Sequence, residues 1–411
     1  MSVTIKEAIA LIVKEKLPLY TEIIPIEESI GRISAENIKA SLSLPRFDNS
    51  AMDGYALNTG KKEALKGEEF HIIGEIFAGE DKNFSLQKRQ GVKIMTGAML
   101  PPSATLVIPK ENTLSIDSQT VRIDKDTKAF ANIRRKGEDI DINENIIKSG
   151  EKIKSSHIAL FASQGITHVK IYKKPKVAVF ASGNELKLHF EKLQKKSQIY
   201  NSNTPYFLAR SKEWGCETIF VGKVKDDLNS IKETIKSSLK SDLILTSGGA
   251  SVGDADFTKQ AFKELGFQTI FSKVQIKPGK PTSFGKIGDT FVLNLPGNPL
   301  AGALNFEIFG KLLIEILKGS KNIYHNFIET EIAHDYTKKK GVESVIPGNF
   351  DGKGFTVTDK FAPGMVNVLN KCNGFIILSD KVKNIKKGER VKFIPIDWDF
   401  QSESFKDFIT Y

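Results

Sequence analysis

KVAVFASG at residues 176–183 is the first of four short apolar runs that decide the fold of this chain. The others are ETIFVGKV at 217–224, DLILTSGG at 242–249 and FVLNLPGNP at 291–299. Helix-like segments follow them: one from Pro205, one through SIKETIKSSLKS at 230–241, one through FTKQAFKELG at 257–266 and one from Pro299. Strands that alternate with amphipathic helices are typical of a doubly wound parallel sheet. This stretch therefore predicts a central α/β domain.

The helix boundaries are marked by their usual residue types. Thr204 is expected to cap a helix whose first residue is Pro205, and Gly215 and Gly266 are expected to end helices. Near the N-terminus, Thr4 is followed three residues later by Glu7, which is the sequence of a capping box. An apolar stripe over residues 5–12 then predicts an amphipathic first helix.

The rest of the chain is rich in short β-like runs. Residues 21–173 contain HIIGEIFAG, GVKIMTGA, ATLVIPK and THVKIYKK, which are separated by Gly, Pro and Asp. Short β-like runs of the same kind occur again after residue 321. No internal repeat or low-complexity linker separates these parts. The predicted fold class is α/β plus β: a central doubly wound parallel-sheet domain with smaller β-rich domains.

Composition excludes several classes of protein. The chain has 411 residues and a formal net charge of +11. Without a run of about 20 apolar residues, no membrane span is expected, and charges within the first 15 residues argue against a secretory signal. We expect a soluble, cytoplasmic protein with no membrane partner. The lysines are scattered and no RNA-type aromatic motif accompanies them, so a solvated surface is favoured over nucleic-acid binding.

Cysteine and histidine spacing limits the metals that the chain could hold. Cys216 and Cys372 are far apart and lack CxxC spacing, and the six histidines never fall at HxH or HExxH spacing. Oxygen-ligated cations remain, of which Mg²⁺ is the expected one.

Residues that follow the strands of a parallel sheet meet at its carboxyl edge, where ligands bind. Three acidic residues come after successive strands, and they are candidate magnesium ligands and catalytic groups: Glu185, Asp226 and Asp256. The run SGGASVGDAD at 247–256 fits neither a Walker motif nor GxGxxG. Its glycines could let the backbone approach a phosphate. Its candidate substrate-binding residues are Ser247, Gly248, Gly249, Ser251, Gly253 and Asp254. The alternative is that these are ordinary turns and caps.

Cationic residues lie close by in the sequence. Lys273 and Lys277 are four apart, which on an extended segment places both on one face, and Lys280 follows a Pro-Gly turn. Three ammonium groups could neutralise an oxyanion or a leaving phosphate, whereas the alternative is that they only aid solubility. The remaining candidate substrate-binding residues are Pro281, Pro296, Gly297, Asn298 and Pro299.

Several motifs together resemble the MoeA family of molybdopterin molybdenumtransferases, which is similar to the E domain of gephyrin. The motifs occur in the expected order from about residue 4 to 397: FDNSAMDGYAL, VKIMTGA, RKGEDI, ASGNEL, NSNTPYFLA, SGGASVGDADF, IKPGKPTSFG and LPGNPLAG. The resemblance implies an elongated four-domain homodimer whose active site lies between subunits. The implied domains are 1–20 with 174–320 (central α/β), 21–46 with 137–173 (linking), 47–136 (β-rich, protruding) and 321–411 (β-barrel-like).

The resemblance also implies a reaction. Adenylylated molybdopterin and molybdate, with Mg²⁺, yield molybdenum cofactor and AMP, and the adenylylating molybdopterin enzyme is a candidate partner. Positions that match family residues tied to activity are Asp53, Thr96, Glu185, Asp226, Asp256, Lys273 and Lys277, and Lys277, Lys280 and Pro281 match the oxyanion-binding segment.

Two departures from the family pattern leave alternatives open. Pro347 stands where the family has a functional arginine, and Pro363 stands where it has a serine. Val368, Cys372 and Ala301 also differ from the pattern. Besides the transferase, we therefore consider a non-catalytic relative that binds the pterin as a scaffold or carrier. A general phosphoanhydride hydrolase is the third possibility.

Overall fold

A computed structural model of the chain describes residues 1–60, 62–224, 227–248, 257–397 and 409. The chain forms two compact units. The core unit comprises Met1–Ala35, Ser149–Ile153 and Val169–Tyr411, and the insert unit comprises Glu36–Lys148 and Lys154–His168. The finer division into four domains stays a prediction.

Seven α-helices occur in the described residues. The Thr4 hydroxyl accepts a hydrogen bond from the Glu7 N–H (3.2 Å), and the Glu7 carboxylate accepts one from the Thr4 N–H (2.8 Å), so the predicted capping box is confirmed. The helices are α1 (Ile5–Lys14), α2 (Ser155–Ser163), α3 (Asn203–Glu213), α4 (Leu228–Ser238), α5 (Phe257–Glu264), α6 (Pro299–Asn305) and α7 (Lys311–Leu317), with a π-helix, Phe306–Gly310, between α6 and α7.

The predicted start of α3 at Pro205 is wrong by two residues. The Asn201 side-chain oxygen accepts a hydrogen bond from the Thr204 N–H (3.1 Å), which satisfies a first-turn donor and lets the helix begin at Asn203. The predicted ends are confirmed, since Gly215 (φ +87°) and Gly266 (φ +80°) have the left-handed conformation that stops a helix.

The core unit is built on a six-stranded sheet. Its strands are β1 (Lys176–Ser182), β2 (Glu217–Val224), β3 (Leu243–Ser247), β4 (Gln268–Phe271), β5 (Ser283–Ile287) and β6 (Thr290–Leu295), in the order β2-β1-β3-β6-β5-β4. The first four in that order are parallel, as predicted, with Val179 opposite Leu245 and Leu245 opposite Leu293. β5 runs against β6, because the two form a hairpin in which Ile287 pairs with Thr290, and β4 in turn pairs antiparallel with β5.

Helices cover both faces of this sheet, so it is doubly wound. Alternate strand residues such as Val179 and Leu245 pack with α1, α3, α6 and α7, whereas Phe180 and Ile244 pack with α4 and α5. The chain passes from β1 to β2 on one side and then to β3 on the other. The winding direction therefore reverses at β1 and β3, which places the expected ligand crevice at their carboxyl ends.

The C-terminal strands of the core unit form a small barrel. Strand Glu343–Phe350 pairs with Gly354–Val357 and with Gly374–Leu378, and Arg390–Pro395 lies between Gly374–Leu378 and Ile328–Ile332. The two-residue strand Ile276–Lys277 pairs with the barrel, with Lys277 opposite Ser344. The predicted α/β plus β fold class is confirmed.

The insert unit contains a second six-stranded sheet and α2. In sheet order the strands are Leu106–Pro109, Gly54–Leu57, Gln90–Ile94, Glu69–Ile76, Thr120–Ile123 and Thr113–Ser115. A side chain at Gly54 would place its Cβ 1.9 Å from the Ile108 carbonyl oxygen, so this crossing requires glycine.

Short strands complete the described structure, and no helix within it is long and apolar enough to span a bilayer. The short strands are Ser2–Val3, Thr21–Pro25, Ile38–Lys39, Asn49–Ser50, Ile133–Arg134, Asn145–Ile147, His168–Tyr172, Leu186–Lys187, Ile199–Tyr200, Lys273–Val274, Tyr336–Thr337 and Asn384–Ile385.

Candidate functional site

A cavity of about 870 Å³, here called the main cavity, opens at the carboxyl edge of the central sheet. Ser182 ends β1, Ser247 ends β3 and Pro296 follows β6, and all three residues line it. The edge at which the sequence predicted a ligand is therefore concave. The other lining residues are Glu185, Leu186, Ile199, Tyr200, Asn201, Ser202, Asn203, Gly248, Lys273, Lys280, Pro281, Gly297, Asn298, Pro299, Gly364 and Val366.

Close backbone packing shapes the floor of the main cavity. Gly248 has φ +94°, and a Cβ there would lie 2.6 Å from the Ser182 carbonyl oxygen. A Cβ on Gly297 would lie 3.6 Å from the Gly248 Cα atom. The chain after β1, β3 and β6 thus converges at Gly248, where only glycine fits without displacing the backbone.

Asn203, at the start of α3, ties two of these strand ends together. Its buried amide nitrogen donates to the Ser247 hydroxyl (2.7 Å) and to the Gly297 carbonyl oxygen (2.8 Å). Because Ser247 ends β3 and Gly297 lies just after β6, this amide links the carboxyl ends of the two strands. Asn201 and Asn203 were not predicted as site residues, although polar residues at a helix start beside the predicted crevice are an available signal in the run NSNTPYFLA.

Of the predicted metal ligands, the structure describes Glu185. It is exposed at the main cavity, and its carboxylate has no hydrogen bond or ion pair with other described residues. The other predicted ligands, Asp226 and Asp256, lie outside the described residues, as do Gly249, Ser251, Gly253 and Asp254. No group of three or more His, Cys, Asp or Glu suited to a metal occurs in the described part of the chain.

The three candidate lysines occupy two places. Lys273 and Lys280 line the main cavity, and the Val274 N–H donates to the Lys280 carbonyl oxygen (3.0 Å) across the turn between them. Exposed residues 273, 275 and 277 alternate with buried Val274 and Ile276, as predicted for an extended segment. Lys277 nevertheless is not among the described residues that line the main cavity.

Lys277 lies beside the barrel instead, near a buried lysine. Burial lowers the pKa of Lys338, the Asp380 carboxylate opposes that change, and the Lys277 charge lowers the pKa further. The Lys338 ammonium donates to the Val342 carbonyl oxygen (3.0 Å), which also accepts a hydrogen bond from the Ser344 hydroxyl (3.2 Å).

In the insert unit, the two predicted site residues contact each other directly. The Thr96 hydroxyl and N–H both donate to one Asp53 carboxylate oxygen, at 2.6 and 2.7 Å. These bonds, first the hydroxyl and then the N–H, hold the pKa of Asp53 below its ordinary value. Both side chains are exposed. The structure thus joins two residues that the sequence had placed in separate motifs.

Comparison with known proteins identifies the family. Three family models match the chain: "MoeA N-terminal region (domain I and II)" over residues 3–165, "Probable molybdopterin binding domain" over 178–315, and "MoeA C-terminal region (domain IV)" over 330–396. A protein of Staphylococcus epidermidis named molybdopterin molybdenumtransferase is 33% identical over 391 residues, covering 91% of this chain and 93% of its own. The chain belongs to the MoeA family.

Further comparisons agree with membership of the MoeA family. A Staphylococcus aureus protein of the same name is 31% identical over 91% of this chain and 93% of its own. The crystal structure of a molybdopterin biosynthesis MoeA protein from Pyrococcus horikosii matches with a TM-score of 0.82 and 30% identity, covering 96% of this chain and 99% of that one.

Pro347 and Pro363, which replace polar residues of the MoeA pattern, have different surroundings. Pro347 is buried in the barrel strand Glu343–Phe350, opposite Phe375. Pro363 is exposed, and its carbonyl oxygen accepts a hydrogen bond from the Ala301 N–H (3.3 Å) at the start of α6. Gly364, the next residue, lines the main cavity. Position 363 is therefore close to the candidate site, whereas the Pro347 side chain adds no polar group to the barrel wall.

Proposed function

We propose that the chain is a molybdopterin molybdenumtransferase of molybdenum cofactor biosynthesis, which inserts molybdenum from molybdate into adenylylated molybdopterin and releases AMP. One observation carries the proposal. Apart from Gly364 and Val366, the residues that line the main cavity lie within the segment that matches the molybdopterin-binding family model, and the cavity presents ammonium groups, amides and hydroxyls at the edge of the sheet where ligands bind. Relatives that this chain matches over 93% of their length bear the transferase name.

The lining of the main cavity suits a large anion with a heterocyclic part. Lys273 and Lys280 can neutralise the phosphates and the charge that develops on the leaving AMP when the phosphoanhydride breaks. The amide of Asn298 and the carboxylate of Glu185 are hydrogen-bonding groups of the kind that recognise the polar edges of a pterin. Dithiolene sulfur belongs to the substrate, so the scarcity of cysteine in the chain is no obstacle.

Magnesium is part of the proposal, and the described residues fit it. Mg²⁺ binds one or two carboxylates together with substrate phosphate oxygens, and the exposed Glu185 carboxylate at the rim of the main cavity meets that requirement. Asp226 and Asp256 are the further proposed ligands. When bound, the cation would supply positive charge to the phosphate oxygens.

The proposed assembly is a homodimer in which the second copy supplies Asp53 and Thr96. This part of the proposal rests on the family resemblance, as does the adenylylating enzyme as a partner. The hydrogen bond between Asp53 and Thr96 supports a shared role for these two residues, because it makes them a single exposed polar group. Analytical ultracentrifugation of the full chain tests the dimer.

The transferase activity is tested with purified chain, adenylylated molybdopterin, molybdate and Mg²⁺. We expect AMP release and cofactor formation, and Lys273→Ala should lower kcat/KM by about 100-fold because one cation at the phosphates is lost. Lys212→Ala, an exposed residue on α3, is the matched control and should be unchanged.

Two outcomes would contradict the proposal. Tight pterin binding without AMP release from the folded protein would favour the non-catalytic relative. Comparable cleavage of ATP or ADP would favour the general hydrolase.

A further inference from the structure

A smaller cavity opens beside α7 and the segment that leads from α7 to the barrel. It has a volume of about 330 Å³ and is here called the α7 pocket. Among the described residues, none that lines the α7 pocket also lines the main cavity. All of its lining residues belong to the core unit, and they come from α7, from residues 320–326, from Ile33, from Lys152 and from Pro395 at the end of a barrel strand. The α7 pocket is therefore a separate candidate binding site.

Three basic side chains line the α7 pocket, namely those of Lys152, Lys311 and His325. Lys152 is exposed, whereas Lys311 and His325 are half-buried. Neither lysine ammonium has a hydrogen bond or an ion pair with another residue in the described part of the chain. The lining thus carries two positive charges that no protein carboxylate neutralises directly.

The two carboxylates whose charges act on Lys311 are bound to other cations. Glu307 accepts hydrogen bonds from the Arg210 guanidinium (2.7 and 3.0 Å), and Glu315, which also lines the pocket, accepts one from the Lys318 ammonium (2.8 Å). Burial is the largest cause that lowers the pKa of Lys311, and the carboxylates oppose it only in part because the Arg210 and Lys318 charges lower the pKa further.

The surroundings of Lys311 leave its charge without a close counter-ion. Its ammonium lies 5.9 Å from the centre of the Trp214 ring. Burial, followed by the Lys311 charge, lowers the pKa of His325, whose Nε2 atom lies 3.4 Å from the Ile308 carbonyl oxygen. Removing a charge from water is costly unless the charge is paired. An anion in the α7 pocket would supply the missing partner.

Neutral groups in the lining suit a compact anion. The exposed amides of Asn322 and Asn326 line the pocket. The Asn326 side-chain oxygen accepts a hydrogen bond from the Phe327 N–H (2.9 Å), so its amide nitrogen remains as a donor for a ligand oxygen. Ile323 and Pro395 add apolar surface. The volume is at the lower end of the range for small-molecule sites, which favours a small ligand.

We infer that the α7 pocket binds a compact oxyanion of charge −2, carried by a small phosphate or dicarboxylate compound. The charge follows from the two ammonium groups that lack a carboxylate partner, Lys152 and Lys311. Charge-assisted hydrogen bonds from these groups and the amides would hold the oxygens. The inference is independent of the transferase activity, because the α7 pocket and the main cavity have separate linings.

The ring of His325 provides a local probe of the α7 pocket. The full chain, labelled with ¹³C in its six histidine rings, is titrated with inorganic phosphate and separately with malonate, at constant pH and ionic strength. His325→Gln assigns the His325 signal. We expect a saturable change of that signal with at least one of the two anions. A response to phosphate alone would identify a phosphate site, and a response to malonate alone would identify a dicarboxylate site.

Lysine substitutions test which charges hold the anion. Lys311→Met and Lys152→Met should each raise the Kd read from the His325 signal by about tenfold, because each removes a charged donor. Lys236→Met, an exposed residue on α4 at the other face of the sheet, is the matched control and should change the Kd less than twofold. Lys273→Met, in the main cavity, should also leave this Kd unchanged.

Several results would overturn the inference. These are the absence of a saturable His325 response to both anions, a Kd that depends on Lys273 as strongly as on Lys311, and equal effects of Lys152→Met and Lys236→Met. Lys152 is exposed, so its substitution tests the site even if Lys311→Met fails to fold. Anion binding in the α7 pocket of a chain that releases no AMP would contradict the proposed function alone.

Discussion

The Thr96 hydroxyl and N–H both donate hydrogen bonds to Asp53, which lies 43 residues earlier in the chain. Asp53 and Thr96 were selected because family motifs contain them, and no spacing rule relates residues 43 apart in the chain. Their contact depends on the pairing of strand Gly54–Leu57 with strand Gln90–Ile94, in which Gly54 is opposite Ile94. Asp53 comes just before the first strand and Thr96 comes just after the second. Antiparallel pairing places these two strand ends side by side, which brings the two residues together.

The Asp53 carboxyl should respond to loss of the Thr96 hydroxyl. In Thr96→Val the pKa of Asp53 should rise toward its ordinary value, and only part of the way because the backbone N–H still donates. Because the pKa of Asp53 is lower in the folded state than in the unfolded state, the Asp53–Thr96 pair stabilises the folded protein fully when the pH is above the unfolded-state pKa. This stabilisation is lost as the pH falls through the folded-state pKa of Asp53. Carboxyl ¹³C chemical shifts followed against pH measure this change. An unaltered Asp53 titration in the variant would contradict the assignment of the hydroxyl as the main cause.

At the scale of elements, the π-helix Phe306–Gly310 holds a buried carboxylate that the sequence did not indicate. Glu307 is 1% exposed, and it accepts hydrogen bonds from the Tyr206 hydroxyl (2.7 Å) and from the Arg210 guanidinium (2.7 and 3.0 Å). Burial, followed by the Glu307 charge, raises the pKa of Tyr206. The Arg210 guanidinium also lies 4.9 Å from the centre of the Trp214 ring. α3 is thus joined to the π-helix by an ion pair removed from water.

Removal of the Glu307 charge should strongly destabilise the fold. Glu307→Gln leaves the Arg210 guanidinium without its buried partner, which costs about 3–5 kcal/mol in the free energy of unfolding. Arg210 also pairs with Glu213, whose side chain is 58% exposed, so Glu213→Gln is a matched control with an expected loss of about 0–1 kcal/mol. Urea denaturation of both variants provides the measurement. Equal losses of unfolding free energy in the two variants would show that the buried ion pair contributes no more to stability than the exposed one.

Local sequence signals predicted those elements whose causes are local. The Thr4 capping box, the terminating Gly215 and the buried strands of β1 and β3 were all foreseen because a few neighbouring residues determine them. The antiparallel pairing of β4 with β5 was not predicted, because strand direction in a sheet depends on which strand becomes the neighbour, and that is a long-range contact. The early start of α3 depends on a side chain, Asn201, that precedes the helix. The cavity lining contributed by Gly364 and Val366 comes from a segment distant in sequence, which no local pattern locates.

At the scale of the whole molecule, two compact units predict two unfolding transitions. Gly54→Ala lies in the insert unit and forces a Cβ to within 1.9 Å of the Ile108 carbonyl oxygen, so it should lower the midpoint of one transition. Glu307→Gln lies in the core unit and should lower the other. Differential scanning calorimetry separates the two. A common shift of both transitions by either substitution would indicate that the units unfold together.

The short strand Ile276–Lys277 has a consequence for how the cavity keeps its shape. Two residues separate it from Lys273 and two separate it from Lys280, and its only sheet partner in the described residues is the barrel strand Glu343–Phe350. Lys273 and Lys280 therefore lie on either side of a short strand that is hydrogen-bonded to the C-terminal barrel. A protein truncated after residue 320 would lack the barrel strand with which Ile276–Lys277 pairs. It would keep both cavity-lining lysines, Lys273 and Lys280, but their positions would no longer be fixed by that pairing.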